Sequence, residues 1–185
     1  AFVYNPFSIL GSHALRGKVA GILGLGRIGK AIAQRLEAHG MKIAYHGRKP
    51  QNVPWSYFDD LKALAAESDF LIVACPGGPE TVKLVDAEVL AALGSEGTLI
   101  NIARGSVVDE KALIVALEAG TIRTAGLDVF EDEPRVPAAL MACERTVLLP
   151  HVGSATHETR RAMAQLVIDN LAAHFAGREL ITPVV

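Results

Sequence analysis

Short runs of almost unbroken apolar residues recur along the chain at Val19–Leu23, Lys42–Tyr45, Phe70–Ala74, Leu99–Ile102, Ala125–Val129 and Val147–Leu149. Runs this short, apolar at successive rather than alternate positions, predict strands buried on both faces. Between them the period lengthens to that of a helix. Ile28, Ile32, Arg35 and Leu36 share one helical face, with Gly40 placed to cap its C-terminus. Leu61, Leu64 and Ala65 form a second set, Val89, Leu90 and Leu93 a third, and Leu113, Ala116 and Leu117 a fourth, stopped by Gly120. The longest set, Met163, Leu166, Val167, Asn170, Leu171 and His174, closes at Gly177 and is expected to pack on the sheet. Strand alternating with helix predicts an α/β fold: a doubly wound parallel sheet of about six strands, helices on both faces and right-handed crossovers.

Three segments read as loops: Gly47–Phe58, with two prolines and no periodicity, Pro76–Thr81 and Glu131–Pro137. All three follow the C-terminal end of a strand, the edge at which open α/β sheets bind ligands. Residues 1–17 fit neither period and read as a linker or an appended segment. Residues 18–177 read as the domain and 178–185 as a C-terminal tail.

Composition narrows the function classes. A chain of 185 residues, half of them apolar and 21% charged, suits one globular domain and excludes disorder. A net charge of −2 argues against a nucleic-acid or membrane-surface binder. No stretch approaches the roughly 20 apolar residues of a membrane helix, and Ala1–Leu10 has no basic start and contains Pro6, unlike a secretory signal. Cys75 and Cys143 stand far apart with no CxxC, so neither a disulfide framework nor a metal site is expected, and a reducing, cytoplasmic compartment is.

Gly24-Leu25-Gly26-Arg27-Ile28-Gly29 follows the first strand directly and opens the first helix. The first glycine permits the tight turn. The second lets a pyrophosphate approach the backbone, and the third lets helix and strand pack closely. The helix start adds free N–H groups and the positive end of its dipole. In this setting the six residues predict a Rossmann dinucleotide site rather than a purely structural turn. Gly24 to Lys30 also satisfies the GxxxxGK phosphate loop of nucleoside triphosphatases, but that motif needs a Ser or Thr next, and Ala31 has no oxygen for magnesium.

The second strand runs into Tyr45-His46-Gly47-Arg48-Lys49. A site for NAD places an acid here, about 20 residues past the glycines, for the ribose 2′-hydroxyl. No acid occurs between Glu37 and Asp59. Gly47, Arg48 and Lys49 are expected at the ribose instead, and two cations suit a 2′-phosphate. NADP(H) is therefore the expected cofactor, with NAD(H) possible; the competing reading is a solvated basic loop.

Three further strand ends carry reactive side chains: Asn101-Ile102-Ala103-Arg104-Gly105, Gly126-Leu127-Asp128-Val129-Phe130-Glu131-Asp132-Glu133-Pro134, and Leu148-Leu149-Pro150-His151-Val152-Gly153-Ser154. A guanidinium binds a carboxylate and polarises a neighbouring carbonyl. A carboxylate supports a protonated imidazole, and an imidazolium gives a proton to a ketone oxygen. Taken singly, Arg104 is compatible with a salt-bridge partner, Glu133 with a solvated loop acid and His151 with a helix-end residue. Their order along one sheet edge favours catalysis. Glu131 and Asp132 read as solvated acids, His39 and His174 as structural, and His46 stays ambiguous beside the 2′-phosphate position.

GLGRIG, NIARGSVVDE, AGLDVFEDEP and LLPHVGSAT together resemble the D-isomer-specific 2-hydroxyacid dehydrogenases, over residues 18 to 160. That resemblance implies catalytic roles for Arg104, Glu133 and His151. It implies that Asp128 binds the nicotinamide carboxamide, and that Cys75, Pro76, Ile102, Ala103, Arg104, His151, Gly153 and Ser154 complete the cofactor contacts. Within the family, GRK, VACP and the ending LITPVV are most similar to glyoxylate/hydroxypyruvate reductases and the plant-type hydroxyphenylpyruvate reductases. The implied activity is NADPH-dependent reduction of a small 2-oxoacid to the D-2-hydroxyacid, by a homodimer formed through this domain. The family carries a second, substrate-binding domain built mostly from residues before the glycine turn. Here that turn begins at residue 24, so the chain is expected to be the cofactor domain of a larger enzyme and inactive alone. Two other members fit less well. Co-repressors of the family, which bind dinucleotide and recruit partners, and phosphoglycerate-type dehydrogenases both look NAD-like at the second strand. Formate dehydrogenases carry Gln where Glu133 stands.

Overall fold

The computed structural model describes residues 14–183, so the first 13 residues of the expected linker and Val184 and Val185 of the expected tail lie outside the described residues. The chain divides into two compact units, one ending at Leu149 and the other beginning at Pro150.

The first unit is a sheet of seven parallel strands in the order β3-β2-β1-β4-β5-β6-β7. These are β1 (Val19–Leu23), β2 (Lys42–His46), β3 (Ser56–Phe58), β4 (Phe70–Val73), β5 (Thr98–Asn101), β6 (Thr124–Leu127) and β7 (Thr146–Leu148). Among the described residues five α-helices accompany them: α1 (Arg27–Ala38), α2 (Leu61–Ala66), α3 (Ala87–Leu93), α4 (Glu110–Ala119) and α5 (Ala138–Ala142). Register explains the apolar runs. Ile22, Tyr45 and Ile72 stand level on neighbouring strands and join the core beneath α1, with Ala20, Ile43 and Ala33. Their neighbours Leu23, Ala44, Leu71 and Val73 point the other way, into the larger core with Leu64, Leu90, Leu113 and Leu117 of α2, α3 and α4. The strands β1, β2 and β4 thus each feed two cores.

The doubly wound expectation holds, and the strand count rises from six to seven. The added strand, β3, lies inside the segment read as a loop. It is a three-residue edge strand paired only with β2, too short to show a period, and Tyr57 packs its ring on Tyr45 at 5.3 Å between centroids. The segment 138–142 also forms the short helix α5, where no helix was expected. Ile28 does not join the buried face of α1: it is 63% exposed, one residue into the first turn.

The sheet order reverses between β1 and β4, which opens a crevice at their C-terminal ends. The opposite edge is clasped by Asp69. Its carboxylate accepts from Lys18 Nζ at 2.6 Å and from the Val19 N–H at 2.8 Å, while its carbonyl accepts from the Thr98 N–H at 2.9 Å, tying the starts of β1, β4 and β5.

The second unit is built on α6 (His157–Phe175). Thr156 Oγ1 caps it by accepting from the Thr159 N–H at 3.1 Å. The following segment folds back on it: Asn170 Nδ2 donates to Thr182 Oγ1 at 3.0 Å, and the Thr182 N–H donates to Asn170 Oδ1 at 3.1 Å. Met163, Leu166, Val167 and Leu171 are 39–60% exposed, His174 is exposed, and Ala173 alone of the helix is buried. A period of 3.6 marks a face, not the surface that covers it.

The clasp yields a pH prediction. Burial alone would raise the Asp69 carboxyl, but the bonds from Lys18 and Val19 outweigh it and hold the group below its ordinary value. A carboxyl lowered in the folded state contributes stability above its unfolded value, and loses it as pH falls through the folded one. Asp69→Asn is expected to cost about 1 kcal/mol at pH 7 in urea unfolding. The gap should close on acidification below the ordinary carboxylate range; a gap independent of pH would contradict the ionised clasp.

Candidate cofactor and active site

The crevice is made by backbone. Gly24 leaves β1 with φ 98°, in the region that favours glycine, and its N–H donates to the His46 carbonyl at 3.0 Å. A Cβ on Gly24 would come 2.6 Å from Cys75 Cα, so the turn lies directly against the end of β4. A Cβ on Gly29 would fall on the Gly24 carbonyl oxygen, so α1 begins tightly against the turn that precedes it. Gly26, by contrast, faces open space, with no atom within 4 Å of where a Cβ would stand. It is the N-cap of α1, has no side-chain cap, and no acid occupies the first turn. Uncapped N–H groups facing an open, side-chain-free cradle suit a pyrophosphate. The donor set therefore fits a dinucleotide, with Gly24, Leu25, Gly26, Arg27, Ile28 and Gly29 around it. The exposure of Ile28, contrary to a core role, leaves it available at this edge.

Gly47, Arg48 and Lys49 stand just past β2, beside the same crevice, and both cationic side chains are exposed. Neither enters an ion pair among the described residues. Their loop is held at its base. His46 Nδ1 bonds the Phe58 carbonyl at 3.0 Å, and Tyr57 Oη donates to the Gly47 carbonyl at 3.2 Å. His46 is thus engaged with β3. Cys75 is buried at the end of β4, which pushes its thiol up, and Pro76 beyond it is exposed.

Past β5 the chain turns sharply around Asn101, whose side chain is 1% exposed. Asn101 Oδ1 accepts from the Ala103 N–H and its Nδ2 donates to the Arg104 carbonyl, both at 3.0 Å. The Arg104 side chain is then directed outward, with one guanidinium nitrogen donating to the Ala103 carbonyl at 2.6 Å; Ile102 is exposed beside it. Asn101 was not among the candidates read from sequence, although an Asx turn at a strand end is a readable signal. At Gly105 a Cβ would fall on the Phe130 carbonyl group, so the Arg104 turn and the loop after β6 lie backbone against backbone.

That loop carries Glu133. Its carboxylate accepts from the Phe130 N–H at 3.1 Å, folding the loop onto itself. Glu110 of α4 braces it by accepting from the Glu131 N–H at 3.2 Å. Burial pushes the Glu110 carboxyl up against the pull of that bond, and the charges of Glu131 and Asp132 add to the rise. Asp132 pairs with Arg135 at 2.7 Å, in keeping with a solvated loop acid. Asp128 is 6% exposed, and its N–H donates to the Asn101 carbonyl at 3.0 Å. The structure thus brings together the glycine turn with Cys75, and the Arg104 turn with the Glu133 loop. His151, Gly153 and Ser154 belong to the second unit. There His151 is exposed with φ 53°, a backbone region uncommon outside glycine and more frequent at functional sites.

Residues 7–153 match the family described as D-isomer specific 2-hydroxyacid dehydrogenase, NAD binding domain. Hydroxyphenylpyruvate reductase of Plectranthus scutellarioides is 54% identical over 170 residues, covering 91% of this chain and 54% of that protein. Glyoxylate/hydroxypyruvate reductase A of Arabidopsis thaliana is 55% identical over 171 residues, again 91% of this chain and 54% of its own length. Among solved structures, an NADPH-dependent glyoxylate/hydroxypyruvate reductase from Sinorhizobium meliloti, in complex with NADP and malonate, superposes with a TM-score of 0.91 at 55% identity, over 92% of this chain and 54% of that one. The chain spans about half the length of the relatives it matches.

The Asn101 turn can be tested by itself. Asn101→Ala removes both bonds and leaves the Ala103 N–H without its partner in a buried setting. Urea unfolding is expected to show a loss of about 1–3 kcal/mol. A neutral substitution would mean that the turn is set by Gly105 packing alone.

Proposed function

This chain belongs to the D-isomer-specific 2-hydroxyacid dehydrogenases as their NAD-binding domain, and from that premise we propose that it is the cofactor domain of an NADPH-dependent reductase converting a small 2-oxoacid, such as glyoxylate or hydroxypyruvate, to the D-2-hydroxyacid. The observation that carries the cofactor choice is the exposed Arg48-Lys49 pair past β2, with no acid between Glu37 and Asp59. Relatives named as reductases of these oxoacids, one of them NADPH-dependent, support the substrate class.

Bound here, a reduced nicotinamide dinucleotide supplies the hydride for the keto carbon. The chain's own residues do the rest. The Gly24–Gly29 turn and the start of α1 hold the pyrophosphate, and Gly47, Arg48 and Lys49 take the 2′-phosphate. Cys75, Pro76, Ile102, Ala103, Gly153 and Ser154 line the cofactor, with Asp128 at the carboxamide. Arg104 binds the substrate carboxylate and polarises its carbonyl. His151 gives the ketone oxygen its proton, and Glu133 supports that imidazole. These roles rest on the sequence blocks that carry the residues. The enzyme is further proposed to be a cytoplasmic homodimer. Free Cys75 and Cys143 suit a reducing compartment, and no helix among the described residues is long and apolar enough to cross a membrane.

The deciding experiment is a 2-oxoacid panel with NADPH and NADH on the full-length enzyme. Turnover with glyoxylate or hydroxypyruvate is expected; dinucleotide binding with no turnover would point to a recruiting role instead. In that enzyme His151→Ala is expected to lower kcat by about 10²- to 10⁴-fold, with NADP+ affinity little changed. A near-normal kcat would remove His151 from the chemistry.

The cations give a second prediction. Two charge-assisted contacts at an open site set an NADPH preference on the order of 10²-fold, which should shrink with added salt. Arg48→Ala with Lys49→Ala is expected to weaken NADP+ and leave NAD+ nearly untouched in calorimetric titration. Equal loss of both would make the pair an ordinary solvated loop.

A further inference from the structure

Arg48 and Lys49 sit on a loop whose side chains reach into solvent, yet the loop's middle is fastened. Gln51 Nε2 donates to the Leu25 carbonyl at 2.9 Å, across 26 positions of sequence. Leu25 is the second residue of the glycine turn and is 3% exposed, so the accepting carbonyl belongs to a fixed part of the molecule. The Gln51 backbone is held from the other side: its N–H donates to Tyr45 Oη at 2.7 Å. Tyr45 is 1% exposed, lies in β2 and packs on Tyr57 of β3. Gln51 is therefore a strut between the pyrophosphate turn and the aromatic floor of the ribose loop, placed two residues beyond Lys49.

We propose that Gln51 is a positioning residue for cofactor discrimination, holding Arg48 and Lys49 in register with the glycine turn so that a 2′-phosphate and a pyrophosphate are met at once. The proposal rests on the assignment of Arg48 and Lys49 to the 2′-phosphate. Its logic is geometric. The adenosine ribose joins the 2′-phosphate to the pyrophosphate through a few bonds and so confines their spacing to a narrow range, and a cation contributes fully only when its loop is set within that range before binding. Without the strut, the loop from Gly47 to Gln51 must be ordered at the moment of binding, and that cost falls on the cofactor that uses the loop. NAD+, which has no 2′-phosphate, draws little from Arg48 and Lys49 and is largely indifferent to their order.

The test compares NADP+ and NAD+ affinities by calorimetry on the protein and on Gln51→Met, which keeps the length of the side chain and removes its donor. NADP+ affinity is expected to fall about three- to tenfold, the worth of one neutral hydrogen bond, with NAD+ changed far less. Tyr45→Phe, which removes the hydroxyl that accepts from the Gln51 N–H and donates to its carbonyl and leaves the Gln51–Leu25 bond in place, should lower the NADP+/NAD+ ratio in the same direction. In the Arg48→Ala, Lys49→Ala background, Gln51→Met should move the ratio no further. A merely structural residue would weaken both cofactors alike, and that result overturns the proposal. So does a Gln51→Met ratio unchanged while the double cation variant has lost its preference, which leaves the cation assignment standing. A double cation variant that keeps its preference overturns assignment and strut together.

Discussion

At the switch point of the sheet, the turn after β1 presses against the end of β4 so closely that Gly24 has no room for a Cβ, and α1 starts so close to that turn that Gly29 has none either. Most of the site follows from this contact. It sets the depth of the crevice, because the chain leaves β1 between Cys75 on one side and the His46 carbonyl on the other. It brings the start of α1 down to the sheet edge with its first-turn N–H groups uncapped. It also fixes the Leu25 carbonyl, to which the ribose loop is fastened. Close packing of backbone on backbone tolerates little adjustment, since protein interiors are nearly as dense as molecular crystals. Gly26, with open space before it, is the point at which the same turn is left unfilled.

A second backbone contact does for the Arg104 and Glu133 loops what the first does for the glycine turn. The Arg104 turn and the Glu133 loop leave different strands, and nothing in their own sequence requires them to meet. Gly105 lies against the Phe130 carbonyl, and Asp128 reaches back to the Asn101 carbonyl. The two loops are thereby fixed to each other before any side chain is considered. Glu133 and Glu110 then spend their carboxylates on loop N–H groups.

Much of this was legible in the sequence, for reasons that differ by residue. The first strand was readable to the residue, Val19–Leu23, because a strand that feeds two cores has no polar positions to blur its ends. The glycine turn was readable because Gly24 and Gly29 have no room for a side chain. β3 was not, since three residues on a sheet edge carry no period and Ser56–Phe58 is defined by its pairing with β2. The apolar stripe of α6 was readable as a stripe; its exposure was not, because burial depends on what lies opposite. Gln51 was invisible for another reason. Its bond to Leu25 joins an ordinary amide to an ordinary carbonyl, so residue type and spacing hold no trace of it.

That difference bears on the selectivity proposed for this loop. Arg48 and Lys49 are the residues a sequence reader finds, because charge at the end of the second strand is the chemical requirement of a 2′-phosphate. Charge is the less exacting half of the problem. A charge-assisted hydrogen bond contributes about 1.5–3 kcal/mol, and ordering one backbone residue costs about 1–2 kcal/mol. Two such side chains on a free loop would give back most of what they gain. On a loop pinned at His46, Gly47 and Gln51 the backbone cost is met by folding, by bonds to Phe58, Tyr57, Tyr45 and Leu25 that exist without ligand. The binding step is then charged only for the side chains. By this argument the same two cations grafted onto an unpinned loop would attract phosphate in general and discriminate poorly between dinucleotides, because selectivity requires the cation to be at one place rather than nearby.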